Sequence, residues 1–347
     1  MAPGNRKNPR RALASDSTYT LLEFMVDFPD DETCLNWLWR TRYAPDGETA
    51  FCERCETERT FKRYTAKQQR QDWTCTACGL HVHPTAGTIF HKSSTGLHLW
   101  FYAMYLMTST RCGISAKQLE REIGVTYKTA WRMYNLIRNE LMDQDPDEKL
   151  TNRVEMDETY VGGKPRATDR AKWAKPERVG DRTVQSQAVS WAHDKKTPIF
   201  GMVQRNDKVW EDGKTKPTVL NYGNVVAYVV PKKMQSRVIR LMDDQIKDGT
   251  TIYTDDSRMY DWMAKSGWEH HKVRHSRGSY VENYHVHTQQ IEGFWSLVKR
   301  GISGTHHAVS PKWLQGYVNE YVWRYNHRDN GREMFSGLLL RSAFPVK

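Results

Sequence analysis

The chain lacks any long hydrophobic run. Its longest strongly apolar stretch, 97–107 (LHLWFYAMYLM), has eleven residues, whereas a membrane span needs about 20. The opening MAPGNRKNPRRALASDS has no apolar middle of the secretory kind, so secretion is not expected. Cysteine is scarce: six in 347 residues are too few for a disulfide scaffold, and four of them fall in CxxC pairs. There is no GxxxxGK loop ending in Ser or Thr to cradle a nucleotide phosphate, and no run of coiled-coil heptads. These absences exclude membrane-spanning, disulfide-stapled and P-loop classes. They point to a cytoplasmic protein that commits its cysteines to metal.

What is present begins with charge. Lysine and arginine total 52 against 41 acids, a net of +11, which fits a polyanionic partner, nucleic acid first. A length of 347 residues predicts two or three domains. The 38% hydrophobic content and 13 tryptophans supply a sizeable core.

Cys52-Glu53-Arg54-Cys55 and Cys75-Thr76-Ala77-Cys78 frame nineteen residues. A two-residue spacer lets both sulfurs of a knuckle reach one ion, so the pair predicts one structural zinc held by four thiolates. A redox CxxC would stand alone near a βαβ pattern, which is absent. Cys34 and Cys112 read as buried thiols, and His81, His83 and His91 as ordinary packing or phosphate contacts. The ribbon has little apolar content of its own, so metal should supply much of its folding energy. Ahead of it, Asp30-Asp31 opens a helical pattern through Cys34, Leu35, Leu38 and Trp39, which should pack on the ribbon.

Residues 97–107 read as a buried helix. Ser115 with Gln118 has capping-box form, Leu119 and Ile123 give the inner face of a second helix, and Gly124-Val125 breaks it. Thr126 then caps a third helix carrying Ala130, Met133, Tyr134 and Ile137. This pattern predicts a helix-turn-helix with Lys128 and Arg132 on its DNA-facing side. The alternative is a three-helix bundle with a solvated basic face. The acidic, proline-containing stretch 142–151 reads as a linker.

Beyond it, 153–161 alternates as a strand bearing Asp157 and meets Gly162-Gly163. Segments 183–192 and 198–203 read as strands, and 235–246 as a helix with Val238, Leu241, Met242 and Ile246 inward. Residues 251–254 read as a strand ending on Asp255-Asp256, and 288–299 as a helix bearing Glu292. An acid in a first strand, one ending a later strand and one on a following helix suit a ribonuclease-H-like fold, in which such carboxylates converge at one sheet edge. Hard oxygen ligands of this kind bind magnesium or manganese. Spacing alone leaves open that these are surface acids, since the chain holds 41.

The segments VEMDETYVGGK, YTDDSRMYDWM and HTQQIEGFWSLVKRGISGTHHAVS resemble the catalytic blocks of zinc-ribbon DDE transposases of bacterial insertion sequences, the ISXO-type family related to Merlin elements. GTIFHKSS and ISAKQLEREIGVTYKTAWRMYNLIR resemble that family's amino-terminal half. The likeness runs from about 20 to 330, with motifs in fixed order. It implies catalytic roles for Asp157, Asp255 and Glu292, which would hold two Mg2+ or Mn2+ ions. Asp256, where relatives commonly carry glutamate, leaves the second position ambiguous, and Glu158 falls beside the metal site. His287, Lys299 and Arg300 become DNA or scissile-phosphate contacts, and His306 and His307 read as solvated loop residues. Two DNA ends need two active sites, so a homodimer or larger assembly on DNA is implied, in a bacterial, nucleoid-associated setting.

The expected architecture is therefore multidomain α+β. A basic flexible tail (1–19), a helical segment (20–45), a zinc ribbon (46–92) and a helix-turn-helix (95–141) come first. A linker (142–151), a ribonuclease-H-like α/β catalytic domain (152–335) and a C-terminal tail (336–347) follow. The segments 164–182 and 207–224 read as loops or insertions. The expected function is a transposase that binds terminal inverted repeats, cleaves the 3′ end and transfers it to target DNA. A non-catalytic regulator derived from a transposase and a structure-selective nuclease are the rivals. Residues 1–150 carry 20 basic and 19 acidic side chains, and residues 151–347 carry 32 and 22, which places the backbone grip in the catalytic half.

Overall fold

A computed structural model of the chain describes residues 19–64, 72–110, 112–144, 149–162, 196–209, 218–230, 235–273, 287–328 and 331–346. The chain divides into two compact units, Met1–Asp143 with His327–Lys347, and Gln144–Asn326.

The first unit starts with α1 (Leu21–Asp27) and α2 (Asp31–Arg42). Thr20 and Glu23 form a reciprocal capping box on α1. The Asp30 carboxylate caps α2 by accepting from the Thr33 N–H at 2.7 Å. Four antiparallel strands follow in the order β1 (Thr49–Cys52), β2 (Thr57–Tyr64), β3 (Asp72–Cys75) and β4 (His81–Val82). As expected, α2 packs on this ribbon: Trp39 stacks on Trp73 with ring centroids 4.7 Å apart, and its indole N–H donates to the Gly47 carbonyl at 2.9 Å. The ribbon thus gains from α2 the apolar core its own strands are too short to provide.

Three helices complete this part: α3 (Leu97–Ser109), α4 (Ala116–Ile123) and α5 (Tyr127–Leu136), the last continued by a wider turn at Ile137–Leu141. Helix α3 has no cap of its own at Gly96; Asp31 supplies one, accepting from the His98 N–H at 2.7 Å. Gly124 closes α4 in the left-handed conformation (φ 66°), which glycine adopts without steric penalty. Thr126 caps α5 by accepting from the Thr129 N–H. At α4 only half of the expected box forms. Ser115 Oγ accepts from the Gln118 N–H, but the Gln118 side chain donates to Glu122, an i,i+4 partner on the same helix face.

Two expectations at the ends of this unit do not hold. Residues 336–347 were expected as a tail, yet Gly331–Ser342 is a helix with Phe335, Leu338 and Leu339 buried. Tyr19, expected in the basic tail, is buried and stacks on Phe335 at 5.0 Å. The physical reason is shared: each supplies apolar surface to an aromatic cluster with Phe24, Phe28 and Tyr105. The remainder of the expected tail, 1–18, lies outside the described residues.

The second unit is built on a five-stranded sheet. Its strands are β5 (Arg153–Val161), β6 (Thr197–Gln204), β9 (Val225–Val229), β10 (Thr251–Asp255) and β11 (His270–Val273). Their order is β11-β10-β5-β6-β9. The first three strands in sequence pair antiparallel, and β10 runs parallel to both β5 and β11. The stretch 207–224, expected as loop, contains a second small ladder, β7 (Asp207–Val209) on β8 (Thr218–Asn221). The strand expected over 183–192 and the insertion 164–182 lie outside the described residues.

Alternation along β5 divides the core between the two sheet faces. Val154 and Met156 pack with Val238, Leu241 and Met242 of α6 (Gln235–Gln245). On the opposite face lie Ile291, Phe294, Trp295 and Val298 of α7 (Gln289–Gly301), with Val318, Tyr321 and Val322 of α8 (Leu314–Asn326). Burying side chains of this size stabilises the unit by roughly 1.5–3 kcal/mol each. Of the expected linker, Gln144 exchanges hydrogen bonds with both backbone groups of Ala227 and Leu150 is buried, while 145–148 lie outside the described residues.

Candidate functional site

Asp157 sits in β5, the middle strand of the sheet, opposite Gly201 of β6. On the other side, β10 pairs with β5 up to Tyr253 opposite Glu155. Two residues further along these parallel strands stand Asp255 and Asp157, so both carboxylates emerge at the same sheet end and face. Helix α7 brings Glu292 to that face from its first turn. A side chain at Gly201 would leave no room for this helix, since a Cβ there would meet the Trp295 ring at 2.6 Å.

The electrostatics show that these acids share one field. Burial, followed by the charges of Glu158, Asp255 and Glu292, pushes the Asp157 carboxyl up to about 7, against a hydrogen bond from the Glu158 backbone. Burial and nearby like charge both disfavour the ionised form of a carboxyl, which is the direction seen at Asp157. Glu158 is also pushed up, by burial first, although the Tyr260 hydroxyl donates to it at 2.7 Å. Asp255 accepts from the Ser257 N–H at 3.1 Å, and Glu292 from the Thr288 hydroxyl at 3.0 Å. The three expected acids thus lie in one neighbourhood, but their oxygens do not all come within 4.8 Å of one another, unlike the cysteines below. Carboxylate oxygens are the hard ligand type that divalent ions such as magnesium take.

The sulfurs of Cys52, Cys55, Cys75 and Cys78 all lie within 4.8 Å of one another, with Cys52 and Cys78 at 3.5 Å. Four thiolates around zinc at about 2.3 Å stand about 3.8 Å apart, so the quartet fits the ion. Burial pushes the Cys75 thiol up, yet the backbone N–H groups of Cys78 and Ala77 and the thiols of Cys78 and Cys52 outweigh it, holding it down to about 7. The hydrogen bond to Cys78, then burial, push Cys55 up to about 12. Zinc takes cysteine as the thiolate, so binding at this quartet is coupled to proton release. Cys34 is buried, as expected, but Cys112 is exposed; it follows α3 in a turn and covers no core.

The remaining expected residues are distributed as follows. Lys128 and Arg132 are exposed one turn apart on α5, and Lys299 and Arg300 are exposed in the last turn of α7. Lys299 is seven positions beyond Glu292, hence on the same helix side and about 10 Å along the axis. His287 is drawn inward, its Nδ1 3.2 Å from Oε1 of the fully buried Glu155. Asp256 is exposed, and Asp255 is half-buried. His306 is half-buried against the Tyr317 ring at 4.7 Å, whereas His307 is exposed.

Sequence reasoning missed Glu155, Arg205, Tyr260 and Gly201. A signal existed for the first: in an alternating strand, Glu155 shares Asp157's face and so had to be either exposed or partnered. Its partners were not readable, because they lie 50 and 135 residues away.

Residues 149–326 match the ISXO2-like transposase domain. This stretch is more than half of the chain, and the protein belongs to that transposase family, whose members are nucleic-acid-processing enzymes with DNA as partner. It is also similar to an uncharacterized protein in transposable element ISH50 of Halobacterium salinarum, at 29% identity over 83% of this chain and 90% of the relative. An uncharacterized transposase-like protein of Haemophilus influenzae is 27% identical over 30% of this chain and 83% of its own length. Among the described residues no helix is long and apolar enough to cross a membrane.

Proposed function

We propose that the protein is a DNA transposase that binds the terminal inverted repeats of its element, cleaves the 3′ ends and joins them to target DNA. The observation that carries this reading is geometric: Asp157 on β5 and Asp255 on β10 stand at the same end and face of the sheet, and Glu292 lies in the first turn of the helix packed on that face. The strand order β11-β10-β5-β6-β9, with three antiparallel strands and two parallel ones, supports a ribonuclease-H-like catalytic domain. The α4–α5 pair, with its left-handed glycine turn, supports a helix-turn-helix reading in which Lys128 and Arg132 face DNA. The four-cysteine cluster supports one structural zinc.

In this reading Asp157, Asp255 and Glu292 hold two magnesium or manganese ions. When bound, such ions activate the attacking oxygen and stabilise the leaving one. Water attacks the phosphodiester at the element's end, and the P–O bond breaks to leave a free 3′-hydroxyl. That hydroxyl then attacks a target phosphodiester, forming one P–O bond as another breaks, with no nucleotide consumed. Lys299 and Arg300, on the Glu292 helix, hold the DNA backbone beside the acids. Two ends call for two active sites, hence a dimer or larger assembly on DNA.

Incubating the protein with a labelled terminal repeat, a target plasmid and magnesium tests the reading. Joined product is expected, and it disappears with Asp157→Ala while repeat binding persists. Cleavage without joining identifies a nuclease, and binding alone identifies a regulator.

A further inference from the structure

We propose that Glu155 and Arg205 form a positioning clamp that sets Glu292 against Asp157 and Asp255, and so fixes the geometry of the divalent-ion site; this rests on the catalytic reading above. Glu155 is fully buried and Arg205 is 4% exposed. A buried charged pair replaces apolar packing only at a large desolvation cost, so its connections matter. The Glu155 carboxylate reaches three parts of the unit. Oε1 accepts from Arg205 Nε at 2.8 Å and faces His287 Nδ1 at 3.2 Å. Oε2 accepts from the backbone N–H groups of Gln290 and Ile291 at 2.8 and 3.0 Å. Both N–H groups belong to the first turn of α7, whose positive dipole end favours a carboxylate there.

Arg205 extends the connection. Its guanidinium lies over the Tyr253 ring at 3.7 Å, and a terminal nitrogen donates to the His287 carbonyl. The clamp therefore grips β5 two residues before Asp157, β10 two residues before Asp255, and α7 one residue before Glu292. A helix cap for stability alone could be provided by Thr288, which occupies the cap position but makes no capping bond to the backbone. A carboxylate from the first acid's own strand takes that role, tying the third acid to the first. Groups that orient metal ligands in this indirect way govern metal affinity as well as shape.

The test is Mn2+ binding to the full-length, zinc-loaded protein, read by loss of the free-ion EPR signal, alongside hydrogen exchange over residues 287–292. Glu155→Gln keeps the shape but removes the charge, and Arg205→Lys keeps the charge but loses the planar fork. Both are expected to weaken Mn2+ binding by about 10–100-fold, to speed exchange at the start of α7, and to shift the manganese requirement for terminal-repeat cleavage in parallel. If either variant folds by circular dichroism, melts lower and yet binds Mn2+ like the wild type, the pair is merely structural and the clamp is wrong. Should Glu155→Gln fail to fold, Arg205→Lys decides the matter. The catalytic reading is checked separately by Asp157→Asn. Wild-type Mn2+ binding that survives this change overturns that reading and the clamp with it, whereas binding lost in Asp157→Asn but intact in the clamp variants overturns the clamp alone.

Discussion

At the scale of single residues, burial and neighbouring charge set the proton affinity of Asp157. Asp157 is held up to about 7 by burial and by its acidic neighbours, whereas an unfolded chain returns it to about 3.9. The native state therefore binds this proton more tightly than the unfolded one. The resulting stability is complete below about pH 4 and is lost as pH rises through 7. In magnesium-free buffer, Asp157→Asn should stabilise the protein by about 1–3 kcal/mol at pH 8, and the advantage should shrink toward pH 5. Paired urea titrations at the two pH values measure this; an advantage that grows toward acid contradicts it. The cysteine quartet gives the second expectation. Cys75→Ser should lower bound zinc from about one per chain to none, in line with four-thiolate coordination, and should melt the ribbon. Elemental analysis and hydrogen exchange over β1–β4 check it, and an unchanged zinc content refutes the assignment.

At the scale of elements, close approach decides where the third acid stands. Helix α7 can lie on the sheet because β6 has glycine opposite Asp157, where Trp295 occupies the space a side chain would need. Gly201→Ala should destabilise the second unit by about 1–3 kcal/mol, the usual cost of overpacking a tight core. It should also reduce Mn2+ affinity by displacing Glu292. Denaturant titration and the EPR assay measure the two effects, and an alanine tolerated without loss of either means that the α7 seat is less constrained than the contact implies. The same scale explains a partial success of sequence reasoning. The apolar positions 291, 294, 295 and 298 were readable from helical periodicity and are all buried. The small β7–β8 ladder was not, because strands of three and four residues are too short to show an alternating pattern.

For the whole molecule, chain order and spatial order part company at the carboxyl terminus. Helix Gly331–Ser342 follows the second unit in sequence but belongs to the first, where Phe335 joins Tyr19, Phe24 and Phe28. Deleting 331–347 should cost the first unit several buried side chains, each worth roughly 1.5–3 kcal/mol, while the second keeps its own unfolding transition. Limited proteolysis of the truncated chain should then degrade 19–143 and spare 149–326; equal resistance of both would show that the helix is dispensable.

The amino-acid sequence alone determined the cysteine quartet, the order of the three acids, the helix punctuation at Asp30, Ser115, Gly124 and Thr126, and the apolar faces of the principal helices. Each is written locally, in spacing, capping chemistry or periodicity, and needs no distant partner. The tertiary structure decided what lies between remote positions. It decided that Glu155 is buried and caps the helix of the third acid, that glycine faces Trp295, that Asp157 is held near neutrality, and that the last helix returns to the first unit. Hydrogen bonds, close packing and Coulomb fields act through space, so residues 50 to 135 positions apart along the chain become neighbours only once the sheet has formed.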